Sequence, residues 1–200
     1  MVDKFFKKVM NGYSLVESSV DPKGKSLKDW MKAAKYSFND MKNQWGIEDA
    51  DIMQKHGIEE NDDTDEAIEK AFADDVEKEY KDWQHKYDRL KFPLTLYRAV
   101  CVPKLEDIKL DKLGTDWSDD IESADCYHRH HAKDNSSIFV VKALVKRTDI
   151  DWSATVWNNL NTSFGDKEQE INLIKGKSVQ VVEILTQEDE WVKINKLGKV

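Results

Sequence analysis

Cysteine is almost missing from this chain: its 200 residues include two, Cys101 and Cys126, which are too few and too isolated for a disulfide framework or a four-thiolate zinc site. That scarcity points to a reducing, cytoplasmic setting, with both thiols read as packing residues because neither lies in a recognisable nucleophile arrangement. An excess of cations is missing too. Lys and Arg number 31 against 39 Asp and Glu, a net charge of -8, which argues against a duplex nucleic-acid binder and suits a basic partner surface better. No apolar run is long enough for a signal peptide or a membrane span. Met1 to Tyr13 instead sets Lys4, Lys7 and Lys8 among Phe5, Phe6, Val9 and Met10. This is the pattern of a short amphipathic helix packing on its own domain or, alternatively, touching a membrane surface. Internal repeats and low-complexity tracts are also lacking, and a chain of this length can bury a working core.

The first half reads as helical. From Ser26, the residues Leu27, Trp30, Met31, Ala34, Phe38, Met41 and Trp45 recur at spacings of three and four, and Gly46 stands where a C-terminal cap belongs, so one long helix is expected. Ile47 to His56 suggests a shorter helix ended by Gly57, and the acidic stretch Glu59 to Glu66 a solvated connection. A second long helix is expected from Asp65 to about Leu90, along a seam of Ile68, Phe72, Val76, Tyr80, Trp83, Tyr87 and Leu90. The seam is aromatic where a two-stranded zipper prefers Leu and Ile. Packing within a helical lobe, and hence a monomer, is expected over self-association.

At Phe92-Pro93 the character changes. Leu94 to Val100, Ser137 to Val145, Ser178 to Leu185 and Glu190 to Ile194 read as strands, and Asp119 to His128 as one short helix. The expected fold class is α+β: a helical N-terminal region over residues 1–90, then a mixed β-sheet domain over 91–200.

Within that second half, Glu168-Gln169-Glu170 places two carboxylates at i and i+2, which in an extended strand point to the same side. Ile171, Leu173 and Ile174 follow, closed by Lys175-Gly176-Lys177, so the pair stands at the entrance of a short buried strand. Upstream, Tyr97-Arg98 lies in the first strand and Thr115-Asp116-Trp117-Ser118 precedes the short helix. In this order the three pieces resemble the arginine, serine, glutamate signature of the cholera-toxin-like mono-ADP-ribosyltransferases, including bacterial and bacteriophage members with two glutamates one residue apart. The resemblance covers roughly residues 92 to 185.

It implies an ADP-ribosyltransferase-like core, NAD as substrate, and a target protein with an exposed arginine as acceptor. Glu170 matches the family's catalytic glutamate and would stabilise the oxocarbenium-like charge that develops as nicotinamide leaves. Glu168 matches the upstream glutamate that orients and helps deprotonate the acceptor. Arg98 would hold the NAD diphosphate through its fixed fork of donors, with Tyr97 beside it. Ser118 would brace Glu170. The family's Ser-Thr-Ser is replaced here by Thr115-Asp116-Trp117-Ser118, leaving one matching serine and an added negative charge at Asp116. Trp117 would wall the nicotinamide pocket unless it is a core indole. Trp157 to Asn161 begins the stretch where the family's substrate-recognition loop falls, with Phe164 near its end; Phe164 and Trp157 are the candidate target contacts, with core packing the other reading.

Tyr127-His128-Arg129-His130-His131 lacks the separated spacing of a zinc site, and no metal is expected. Two rivals stand beside the transferase: an NAD glycohydrolase on the same scaffold, with water as acceptor, and a non-catalytic binding protein that keeps the fold. An unexported transferase suits action in the cell that makes it, as a phage protein modifying host machinery or a toxin paired with an antidote.

Overall fold

The computed structural model describes residues 19–61, 63–124, 137–160 and 170–200. Four helices lead: α1 (Leu27–Ala34), α2 (Phe38–Trp45), α3 (Asp49–His56) and α4 (Thr64–Tyr87). The long helix expected from Ser26 is thus two. The break lies at Lys35, where φ is +60°, and Ser37 restarts the chain with a capping box in which its hydroxyl accepts from the Asp40 amide and the Asp40 carboxylate accepts from the Ser37 amide. The apolar spacing runs through the break because both helices send side chains into one core, Leu27, Trp30, Met31 and Ala34 from α1 and Met41 from α2, while Phe38 stays exposed. Gly46 and Gly57 end α2 and α3 in the left-handed conformation, as their positions suggest.

Helix α4 follows its expected seam closely. Ile68, Phe72, Val76, Tyr80, Trp83 and Tyr87 are all buried by the protein's own chain. Trp83 stacks on Tyr87 at 4.3 Å between ring centroids, with Trp152 edge-on at 6.1 Å. Each such side chain contributes roughly 1.5 to 3 kcal/mol by leaving water.

The strands are β1 (Leu94–Val102), β2 (Asp116–Ser118), β3 (Ser137–Val145), β4 (Glu170–Asn172), β5 (Ser178–Leu185) and β6 (Trp191–Lys199), with helix α5 (Trp152–Leu160) between β3 and β4. They form one sheet in the order β4-β2-β1-β3-β5-β6. The α+β class is as expected. Every pairing in the sheet is antiparallel, however, where a mixed sheet was expected. A parallel pair needs a long crossover, usually a helix, between neighbouring strands; α5 leads from β3 to β4, which are not neighbours. Strand β6 runs five residues past its expected end at Ile194, because Asn195, Lys196 and Lys199 lie on a solvated edge strand and carry no apolar alternation.

Helices and sheet share one buried cluster, so the change of character near residue 91 marks where helices give way to strands within a continuous core. The segment from Ser19 to Lys25 ties the two parts together. The Ser19 hydroxyl donates to the Ile150 carbonyl and accepts from the Trp152 amide, while Tyr80 and Gln84 of α4 donate to the Pro22 and Lys25 carbonyls. Asp21 receives both Nε and Nη2 of Arg147, at 2.7 and 2.8 Å, and that guanidinium lies 4.6 Å from the Trp152 ring centre. Burial works to raise the Asp21 pKa, but the hydrogen bonds from Arg147 and the Lys23 amide, with the charges of Arg147 and Lys25, outweigh it and hold the carboxyl below its ordinary value.

Candidate functional site

Strand β4 is three residues long and lies at the sheet's edge, where two ladder partners are not available to it. Helix α5 supplies the missing ones with side chains. Asn159 Nδ2 donates to the Glu170 carbonyl at 2.6 Å, and Thr155 Oγ1 accepts from the Asn172 amide at 2.9 Å. The Asp151 amide donates to the Asn172 carbonyl at 2.8 Å. Every backbone group satisfied this way is one that need not seek another strand or water. On the inner side, β4 pairs with β2 so that Glu170 stands opposite Ser118 and Asn172 opposite Asp116. β2 pairs with β1 so that Ser118 stands opposite Tyr97.

This register aligns pieces of three separate motifs. Directly opposed residues share a face, so Tyr97, Ser118 and Glu170 form a row across three adjacent strands, with Asp116 and Asn172 one pleat along on the same side. Glu170 is the first residue of β4, as expected for a carboxylate at a strand entrance. Its Oε1 accepts from Asn172 Nδ2 at 2.5 Å. Ser118, which was expected to brace Glu170, is 7% exposed, and its hydroxyl accepts from the Asp120 amide at 3.0 Å. Asp120 in turn caps the helical turn at residues 121–124, its Oδ2 accepting from the Ser123 amide at 2.9 Å. The brace on Glu170 Oε1 is Asn172, which the motif reading missed; its signal is its place two residues after Glu170, on the same strand face.

Arg98 alternates to the other face, with Trp117, and reaches sideways. Its Nη1 donates to the Asp116 carbonyl and lies 3.9 Å from Asp116 Oδ2. Gly114 makes room for it: a Cβ there would stand 2.8 Å from Arg98 Nη2, and φ of +79° disfavours a side chain as well. The added negative charge of Asp116 therefore sits against the one cationic group named by the resemblance. Trp117 is 2% exposed with its Nε1 donating to the Gly114 carbonyl, which makes it a core indole and not the wall of an open pocket. Trp157 likewise corrects its expected role. It lies in α5, is 8% exposed, and packs against Tyr36 and Trp45 at 4.3 and 5.3 Å, because α5 continues through the stretch where a recognition loop was expected to begin. Glu168, Phe164, Cys126, the histidine run from His128 and the stretch from Met1 to Tyr13 lie outside the described residues.

Beyond Tyr97 the row continues into groups that motif reading did not find. Lys142, opposite Tyr97 on β3, pairs with Glu183 at 2.8 Å and lies 5.1 Å from the Trp191 ring centre. Glu183 raises the Lys142 pKa by hydrogen bond and charge, against a smaller opposing effect of burial, so the ammonium is a fixed cation on this face. Burial raises the Cys101 thiol pKa, which disfavours the thiolate a nucleophile needs. Among the described residues no three His, Cys, Asp or Glu side chains are grouped to hold an ion, and no helix is long and apolar enough to cross a membrane.

No protein family matches the chain, and no curated protein or solved structure matches it either.

Proposed function

We propose that this protein is an NAD-dependent mono-ADP-ribosyltransferase that modifies an arginine of a target protein. The observation that carries the reading is the row Tyr97, Ser118 and Glu170: residues from three motifs, far apart in sequence, meet in register on three neighbouring strands. In this reaction the bond between ribose C1′ and the nicotinamide nitrogen breaks, and its electron pair leaves with nicotinamide. Positive charge develops on the sugar, and a fixed carboxylate at Glu170 stabilises it. A guanidinium nitrogen of the target then bonds to C1′ and gives up a proton, which Glu168 accepts. Arg98 serves the diphosphate in this reading, and its contact with Asp116 sets where the guanidinium stands. A cytoplasmic site of action, on host machinery if the protein is a phage effector, suits a chain so poor in cysteine.

The test is incubation of the full chain with labelled NAD and cell lysate, with protein labelling and nicotinamide release followed separately. Both are expected in the parent. Glu170→Gln should lose both by several orders of magnitude while keeping its fold, since the amide is isosteric and carries no charge. Glu168→Gln should lose labelling by about 10² to 10⁴-fold, as for a general base, and retain slow release into water. Near-parental turnover in Glu170→Gln overturns the reading, and rapid nicotinamide release without labelled protein replaces it with the glycohydrolase.

A further inference from the structure

We propose that Asn172 is the positioning residue of the Glu170 carboxylate, and that Asp116 is the second arm of the same clamp. This rests on the reading of Glu170 as the catalytic carboxylate. Asn172 is 7% exposed, so its amide must find partners within the protein. It gives Nδ2 to two carboxylates at once, Glu170 Oε1 at 2.5 Å and Asp116 Oδ1 at 3.1 Å. Its Oδ1 accepts from Asn158 Nδ2 of α5 at 2.9 Å. The orientation of the amide is fixed by these neighbours: two acceptors on one side and a donor on the other admit a single assignment of nitrogen and oxygen. The backbone beneath is held as well, with the Asn172 amide on Thr155 and its carbonyl on Asp151.

Glu170 and Asp116 are like charges on neighbouring strands, and the shared amide lets them stand close. The Thr115 hydroxyl donates to Asp116 Oδ1 at 2.9 Å, and Arg98 lies on its far side. A continuous path therefore runs from Asn158 through Asn172 to both Glu170 and, by way of Asp116, Arg98. The two charged groups of the proposed site are set relative to one another by Asp116, the residue that replaces part of the family's serine motif. Among the described residues the charged group beside Glu170 is Asp116 from β2, with Arg98 reaching Asp116 from the other face of β1; α5 contributes the neutral Thr155, Asn158 and Asn159.

An amide that donates to a carboxylate favours its charged form and fixes its rotamer. Asn172→Ala in the full chain should therefore lower kcat for nicotinamide release by roughly ten- to a hundredfold with KM for NAD changed less than about twofold, the mark of lost orientation rather than lost binding. The acid limb of its pH profile should move to higher pH. Asn158→Ala, which touches neither carboxylate, should shift both quantities the same way by less, and should add nothing to Asn172→Ala. The carboxyl carbon of Glu170, assigned by its absence in Glu170→Gln, gives a readout without turnover: its NMR titration midpoint should rise in both Asn variants. An unchanged midpoint in folded Asn172→Ala overturns the clamp, as does an unchanged kcat. If Asn172→Ala does not fold, the Asn158→Ala midpoint and kcat decide. If the parent neither releases nicotinamide nor labels protein, the transferase reading fails, and the carboxyl titration still decides whether Asn172 holds Glu170.

Discussion

Thr155→Val isolates what helix α5 does for the edge of the sheet. Thr155 is fully buried, and its hydroxyl accepts from the Asn172 amide at 2.9 Å and donates to the Asn172 carbonyl at 3.4 Å. Valine fills the same volume, so no cavity opens, and its helix propensity is close to that of threonine. The Asn172 carbonyl keeps the Asp151 amide, but the Asn172 amide is left buried with its acceptor gone. Leaving such a donor unsatisfied costs about 1 to 3 kcal/mol. For a chain of this length each kcal/mol lowers Tm by about 2 to 4 °C, so the loss should be roughly 2 to 12 °C. Calorimetry and urea titration followed by tryptophan fluorescence measure it, with m expected to stay constant because the same surface is exposed on unfolding. Thr155→Ser restores the hydroxyl and should recover most of the loss caused by the missing acceptor. A Thr155→Val protein as stable as the parent refutes the view that α5 completes β4 through this bond.

Two further outcomes are expected. Arg98→Lys should weaken NAD binding several-fold by calorimetry, because a point charge reproduces neither a fork on a diphosphate nor the sideways reach to the Asp116 carbonyl; equal affinity would make Arg98 a purely structural residue. Stability should fall as pH drops through and below the ordinary carboxylate value of 3.8, since Asp21 and Asp75 both titrate below it in the fold despite the opposing effect of burial. A depressed carboxyl pKa contributes stability that is present above the unfolded value and lost on protonation. Asp21→Asn should flatten this acid limb in denaturation midpoints measured from pH 5 to pH 2.5, and an unchanged limb would mean that the Arg147 pair does not stabilise the fold.

Long, periodic elements were legible in the sequence because one physical signal dominated each. The seam of α4 and the apolar runs of β3 and β5 bury side chains at the spacing their backbone imposes, and the glycines after α2 and α3 mark left-handed caps. The break at Lys35 was hidden because the apolar spacing carries across it; the capping box from Ser37 to Asp40 was the local sign. Trp157 misled for the opposite reason: Trp157-Asn158-Asn159 reads as polar loop, yet its asparagines are helical and face β4. At the site, the motifs placed Tyr97 and Glu170 on strands, and the spacing of two was the sign that puts Asn172 on the face of Glu170. Strand β2 was not expected, and nothing in a sequence sets the register that brings Ser118 opposite Glu170 and, for the clamp, Asp116 opposite Asn172.

That clamp belongs to a wider pattern in where the fold buries polarity. The described polar residues buried in the core are Thr64, Ser118, Ser153, Thr155, Asn159 and Asn172, and all but Thr64 lie on β2, α5 or β4. Elsewhere the sheet is packed with Val, Ile, Leu and Ala, so buried polarity is not a general habit of this core. Each such group loses water and is tolerated only with its partners in place, which makes a dense cluster of them a rigid arrangement with few alternatives. An edge strand of three residues has too little ladder to hold a side chain still by itself. Asparagine and threonine from α5 give it directional bonds on its outer side, and Asn172 passes that order inward to Glu170 and Asp116. An apolar helix face would cover the same strand but leave the Asn172 amide, the Glu170 carbonyl and the Asn172 side-chain oxygen without these partners. The polar choice is what a strand requires when its first residue must present a charge in one orientation.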